Sequence, residues 1–136
     1  MNDSADLDTA FFEMLEDVTR DHQEGVYKMR TIEAKKNKTV CIGYQGENEA
    51  TRVLFPLSDF GQDTEDYEFS LMIQNKNEDF YSPELYQLSE DRKYLVWIPT
   101  LQDTETAGIR EAEIKAQREH KVAKSYIYKF SVNRSL

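Results

Sequence analysis

The sequence predicts a mainly β protein, an antiparallel β-sandwich of seven or eight strands preceded by one N-terminal α-helix. Two observations carry this prediction. Beyond residue 26, apolar and polar side chains alternate in short segments, which is typical of strands that are buried on one face. Polar, turn-like segments separate them, and no long helical pattern lies between any two, which disfavours a parallel βαβ sheet. The chain has 136 residues, a single-domain length.

The clearest predicted strand is 67–74, in which two rows of side chains alternate: Tyr67, Phe69, Leu71 and Ile73 in one row, and Glu68, Ser70, Met72 and Gln74 in the other. Such alternation places one row of side chains in a core and the other row in solvent. The same pattern, less regular, recurs along the rest of the chain. The full set of predicted strands is 27–34, 39–44, 51–57, 67–74, 93–98, 110–117 and 125–132.

The N-terminal segment has a different period. Apolar residues at helical spacing predict an amphipathic helix over 4–21, and Gly25 ends the pattern. We therefore divide the chain into an acidic amphipathic helix at 1–25 and a β-sandwich domain at 26–136. The apolar stripe of this helix consists of Leu7, Phe11, Met14 and Val18.

This stripe has two interpretations. Its spacing is that of a short coiled-coil seam, which would make the helix an oligomerisation device. Ala10 and Leu15 widen the stripe beyond a strict seam, which favours packing on the chain's own sandwich.

The net charge of the chain and its distribution disfavour some classes of function. The formal net charge is −9, and residues 1–24 contain eight acidic residues and one basic residue. A chain without a basic stripe is a poor candidate for binding nucleic acid. No apolar run approaches the length of a membrane-spanning helix, and the first residues lack a secretory signal, so we expect synthesis in the cytoplasm without membrane insertion. The single cysteine, Cys41, can form neither an internal disulfide nor a cysteine-based zinc site.

The sequence contains few residues or motifs that are typical of catalytic sites. His22 and His120 lack a metal-ligand or general-base pattern, and no phosphate-binding loop or nucleophile motif occurs. A hydrolase or metal-dependent enzyme would require acidic residues to converge in one cleft. We therefore expect no enzyme activity, no metal and no cofactor. The residues whose convergence would contradict this are Glu47, Glu49, Asp63, Asp66 and His120.

Trp97 is the only tryptophan, in a predicted strand between Val96 and Ile98. An indole in this setting is typical of a sandwich core. The alternative is an exposed platform that stacks on sugars. The tyrosines that could join such a platform are Tyr81, Tyr86, Tyr94 and Tyr126.

Two stretches carry a resemblance to a known family. The first is Gly-Tyr-Gln-Gly-Glu-Asn at 43–48, leading to Arg52. The second is Thr-Glu-Thr-Ala-Gly at 104–108, followed later by Lys-Ser-Tyr-Ile-Tyr at 124–128. They resemble small structural proteins from phage and prophage tail and baseplate gene clusters of Gram-positive bacteria. They are also similar to the N-terminal immunoglobulin-like domain of baseplate upper proteins. The sequence departs from that pattern after Gly108, where Ile109 stands instead of a further glycine nearby.

The resemblance implies an immunoglobulin-like sandwich that acts as a non-enzymatic structural or assembly component of a tail or baseplate. It also implies assembly into the virion with other phage structural proteins, and a homo-oligomer is one hypothesis. The alternative is a carbohydrate- or host-surface-binding module. We expect a second assembly surface along the strand at 124–132, which could lie at a sheet edge. The predicted binding and assembly residues are Leu7, Phe11, Met14, Val18 and Trp97.

Overall fold

The computed structural model describes residues 29–61 and 64–135. The predicted helix at 4–21, with its stripe of Leu7, Phe11, Met14 and Val18, lies outside these residues. The described part contains ten strands and one 3-10 turn, Ser58–Phe60. The strands are β1 (Arg30–Glu33), β2 (Thr39–Tyr44), β3 (Thr51–Pro56), β4 (Glu68–Gln74), β5 (Phe80–Tyr81), β6 (Tyr86–Leu88), β7 (Tyr94–Trp97), β8 (Gly108–Arg118), β9 (Lys121–Lys124) and β10 (Tyr128–Asn133).

The strands form two sheets. The smaller sheet has the order β1-β3-β7-β6, and the larger has the order β2-β10-β8-β4-β5. The eleven-residue strand β8 is the centre of the larger sheet. One edge of β8 pairs with β4, while its other edge pairs first with β10 and then with β9. The mainly β, sandwich-like prediction is thereby confirmed.

The prediction of purely antiparallel sheets is wrong at two places. β1 pairs with β3 in parallel, and β2 pairs with β10 in parallel. The reason is the turn at 35–38, where the chain leaves the smaller sheet and enters the larger one. Because β1 and β2 lie in different sheets, each pairs with a strand that is not its neighbour in the sequence. Both sheets are therefore mixed.

Aromatic rings from both sheets fill the space between them. Trp97 of β7 meets Phe130 of β10 edge to face, with ring centroids 5.3 Å apart. Phe55 of β3 meets Tyr128 of β10 in the same manner, also at 5.3 Å. Both contacts join the smaller sheet to the larger one, so the alternation of each strand produces one continuous core.

A buried carboxylate also joins the two sheets. Asp103 is 0% exposed and lies in the loop between β7 and β8. Its oxygens accept hydrogen bonds from Tyr81 Oη of β5 at 2.5 Å and from Trp97 Nε1 of β7 at 3.2 Å. The backbone N of Thr100 donates to the same carboxylate at 2.9 Å. Burial and the Asp103 carboxylate raise the pKa of Tyr81 far above its ordinary value, so its hydroxyl remains a donor.

Arg110 also binds the loop between β7 and β8 through its guanidinium. Its Nη2 donates to the carbonyl of Asp103 at 2.8 Å and to that of Thr106 at 3.1 Å. The guanidinium also lies 5.4 Å from the ring centroid of Phe130. The loop is therefore tied by side chains to β5, β7 and β8.

Candidate functional site

The acidic residues that an enzyme would need do not come together in the described part of the chain. Glu47 lies in the turn after β2, where it pairs with Arg30 and accepts a hydrogen bond from Tyr44 N. Asp66 pairs with Arg118, at the end of β8, with 3.4 Å between nitrogen and oxygen. His120 lies in the turn that follows β8, and Asp63 lies outside the described residues.

Glu47 lies near the start of β8, whereas Asp66 and His120 lie near its end. The turn that holds Glu47 adjoins its start, since Gly46 N donates to Thr104 O at 3.1 Å. An eleven-residue strand spans roughly 35 Å, which is too far for one cleft. Over residues 29–61 and 64–135, no group of three His, Cys, Asp or Glu side chains could hold a metal ion. The same residues include no helix that could cross a membrane.

Glu47 has a structural role instead. Burial raises its pKa, but hydrogen bonds from Arg30 and from Tyr44 N, together with the charge of Arg30, outweigh burial. The pKa of Glu47 therefore lies below its ordinary value, and the ion pair holds the turn. Gly43 lies directly beneath this pair, with a φ of 142° that disfavours other residues.

Trp97 is 0% exposed, so the interpretation of this residue as sandwich core is confirmed. Its indole presents no face to a ligand, and Trp97 leaves the predicted set of binding residues. Of the four tyrosines that could have joined it, Tyr81 binds Asp103 and Tyr86 packs against the core. A sugar-stacking platform centred on Trp97 therefore does not form.

The prediction that 124–132 forms an edge strand is wrong, because β10 is paired on both sides, with β8 and with β2. The open edge belongs to β9, which precedes it. Among the described strands, β9 pairs with β8 alone. The place beside β9 is in line with β2 and is not filled by a described strand.

The backbone of this edge is directed outward at two residues. Ser125 N donates to Ile114 O at 2.8 Å. Because hydrogen-bonded pairs alternate along an antiparallel ladder, Ala123 also bonds toward β8. Val122 and Lys124 then direct their N–H and C=O groups away from β8. They can accept the backbone of another strand.

Exposed apolar and basic side chains surround this edge. The Val122 side chain is 54% exposed, and Tyr126 and Ile127 are also exposed large apolar residues. Tyr126 donates a hydrogen bond from its hydroxyl to Asn37, in the turn between β1 and β2. This contact brings that turn against 126–127 and leaves a crevice of about 290 Å³ between them.

We call this region the β9 edge surface. It consists of β9, Tyr126, Ile127 and the turn at 35–38. Its charge is mainly positive, although Lys36 pairs with Asp59 and Lys124 lies 3.8 Å from Glu113. Its lysines, with Lys129 beside the crevice, are Lys35, Lys36, Lys38, Lys121, Lys124 and Lys129.

Sequence reasoning placed an assembly surface at 124–132 but missed the strand at 121–124, because Lys-Val-Ala-Lys has no apolar face of its own. The signal was the two-residue turn Glu119-His120 between basic residues, a length typical of a β-hairpin. No protein-family model and no curated protein matches this sequence.

Proposed function

We propose that this chain is a non-enzymatic assembly module, a structural component of a phage or prophage tail or baseplate. We further propose that its sandwich is a variant of the immunoglobulin-like domain that the sequence resembles. The protein is then made in the bacterial cytoplasm and built into the virion beside other structural proteins. The phage part of this proposal is supported by the resemblance of residues 43–53 and 104–128.

The assembly part is supported by one observation, the open β9 edge surface. A strand edge with outward N–H and C=O groups is a template for one more strand. Val122, Tyr126 and Ile127 supply apolar area beside that template. The surface therefore offers both parts of a strand-addition site, backbone hydrogen bonds and side-chain contacts.

The positive charge of the lysines determines which kind of partner this edge can bind. Lys121 and Lys124 flank the edge, and a second copy of the same edge would oppose them with its own lysines. Like charges directly opposite each other destabilise a strand pair. The edge is thus protected against self-association and complementary to an extended segment rich in acidic residues.

The carbohydrate-binding alternative loses its main residue, since Trp97 is in the core. Tyr126 is the remaining exposed tyrosine of the predicted platform, and its hydroxyl donates a hydrogen bond to Asn37. A protein partner therefore fits this surface better than a sugar.

A labelled peptide tests the edge. The probe is a short fluorescein-labelled peptide of alternating Glu and Val, and the control peptide has Lys in place of Glu. We expect fluorescence anisotropy to show binding of the acidic peptide alone, weakened by added salt. Val122→Pro removes one outward N–H without breaking the ladder to β8, so it should weaken binding about tenfold. Val122→Thr keeps that N–H and is the matched control.

Equal affinity of the Val122→Pro and Val122→Thr variants, with both folded by circular dichroism, would show that the peptide does not add to this edge. The phage assignment needs a separate test. Particles released by the source bacterium after prophage induction are labelled with an antibody to this chain and viewed by electron microscopy. Label at the tail or baseplate supports the assignment. Purified particles that lack the protein contradict it.

A further inference from the structure

Strand β7 is buried on both of its faces. Trp97 points into the core between the sheets, as the alternation of the strand requires. Val96 and Ile98 point to the opposite face, yet they are 3% and 0% exposed. In a two-layer sandwich the outer face of a sheet is expected to be solvated and polar. The burial of Val96 and Ile98 therefore shows that the outer face of the smaller sheet is covered at these two residues.

These two residues form the floor of a separate apolar cluster. Its rim consists of Met29, Leu54, Leu85 and Tyr94, each of which is partly buried. Leu54 of β3 lies directly opposite Val96 in the strand pairing. We call this cluster, which lies on the outer face of the smaller sheet, the outer patch.

Arg52 lies on the same face, two residues before Leu54. Its Nη2 donates to Thr31 Oγ1 at 3.2 Å. Its Nε is sealed from solvent and has no hydrogen-bond partner in the described part of the chain. Arg52 is half-buried. A guanidinium beside an apolar surface is stabilised by a carboxylate, and none of the ion pairs among the described residues includes Arg52.

The described part of the chain begins at this patch. Met29 is the first described residue and belongs to the rim, so the 28 residues before it start from the outer patch. Those residues carry an apolar stripe from Leu7 to Val18 and eight acids within 1–24. They therefore offer an apolar stripe for the partly exposed rim and a carboxylate for Arg52.

We propose that residues 4–21 pack as an amphipathic helix on the outer patch of their own chain. The stripe lies against Leu54 and the rim, and an acidic side chain of the helix pairs with Arg52. The dimensions agree, because twelve residues of helix span about 18 Å and the five residues from Arg52 to Pro56 span about 16 Å. The linker at 22–28 can extend to about 24 Å, enough for the helix to turn back over the patch.

Disulfide trapping in the full chain tests the contact. Cys41 is first replaced by Ser, because it is exposed and would react. The test protein carries Phe11→Cys and Leu54→Cys. The control carries Phe11→Cys and Val122→Cys, which places the second thiol on the β9 edge surface. We expect rapid oxidation to an intramolecular disulfide in the test protein and slow oxidation in the control.

Three results would overturn the proposal. Equal oxidation rates in the two proteins would mean that the segment has no preferred position. Faster trapping at Val122 would place it on the β9 edge. Disulfide-linked dimers without the intramolecular product would mean that the segment covers a second copy.

Thiol protection provides an independent readout. In the Cys41→Ser background, the thiol of Leu54→Cys is alkylated with iodoacetamide. Phe11→Asp should speed alkylation about tenfold by lifting the stripe from the patch. Thr9→Asp lies on the opposite side of the predicted helix and should leave the rate unchanged. If both substitutions leave Leu54→Cys equally protected, residues 4–21 do not cover it.

Discussion

Replacing Asp103 with alanine tests the role of the buried carboxylate that joins the two sheets. The substitution removes the acceptor of Tyr81 Oη, Trp97 Nε1 and Thr100 N, and also that of the Thr100 hydroxyl at 3.3 Å. All four donors lie in or beside the core, so water cannot easily replace the lost oxygens. The Arg110 contact to the backbone carbonyl of residue 103 is unaffected by the change of side chain.

The magnitude follows from Tyr81 Oη, Trp97 Nε1 and Thr100 N, since the Thr100 hydroxyl can rotate toward another acceptor. Each buried donor that loses its partner costs about 1–3 kcal/mol, and a value of about 1.5 kcal/mol for each gives a total of roughly 4.5 kcal/mol. This agrees with the loss of about 3–5 kcal/mol that is typical when one partner of a buried charged contact is removed. Marginal stability makes such a loss a large fraction of the free energy of unfolding.

Urea unfolding provides the measurement, because Trp97 is the only tryptophan and reports on the core that Asp103 holds. With a slope of about 1.5 kcal/mol per molar urea, the midpoint should fall by roughly 2–3 M. Circular dichroism is the second probe, since the substitution also changes the surroundings of the indole. Glu90→Ala, an exposed acidic residue, is the control and should leave the midpoint unchanged.

Tyr81→Phe completes a double-mutant cycle. Alone, it removes one hydrogen bond and should cost about 1–2 kcal/mol. In the Asp103→Ala background it should cost much less, because its partner is already gone. A loss below about 1 kcal/mol for Asp103→Ala, or strictly additive losses in the cycle, would refute the view that this carboxylate holds the sheets together.

Three further changes probe the end of β2, the turn that follows it and the turn that follows β8. Gly43→Ala should lower the urea midpoint, because its φ of 142° is strained for alanine and the new Cβ would lie 2.9 Å from Arg30 Nη2; an unchanged midpoint would contradict this. Glu119→Gly should raise stability by about 0.5–1 kcal/mol, since Glu119 has a φ of 55° that glycine adopts without strain. Glu47→Gln should lower the midpoint at neutral pH. Because the folded pKa of Glu47 is lowered from 4.5, its stabilisation is present above that value and is lost as the pH falls through the lowered pKa. The difference between Glu47→Gln and the unsubstituted protein should therefore vanish in acid, and a difference that persists there would show that the charge is irrelevant.

The longer strands could be predicted from the sequence because their burial is periodic. The alternation over 67–74 and 110–117 matches β4 and β8 within two residues at each end. β5 and β6 have two and three residues, which is too short for a period to show. The parallel pairs could not be predicted, since they depend on the sheet that each strand joins after the turn at 35–38.

The candidate surfaces were harder to predict than the strands. Asp103 stands in a stretch rich in Thr, Gln and Glu, and such a stretch is typical of a solvated turn. Its burial arises because the loop folds between Tyr81 and Trp97, which are distant from each other in the sequence. The outer patch was equally hard to predict from the sequence. Val96 and Ile98 belong to a continuous apolar run, and such a run does not indicate which residues face outward.

The pairing of β2 with β10 has a kinetic consequence. Position 40 lies beside position 130 in the larger sheet, and β8 meets β10 on the other side. During synthesis, the edge of β2 that pairs with β10 stays uncovered until Tyr128–Asn133 leaves the ribosome. Sheets that depend on such distant pairings fold in milliseconds to seconds. Until then, Ile42 and its neighbours remain open to other nascent chains, and slow translation of β10 should increase aggregation.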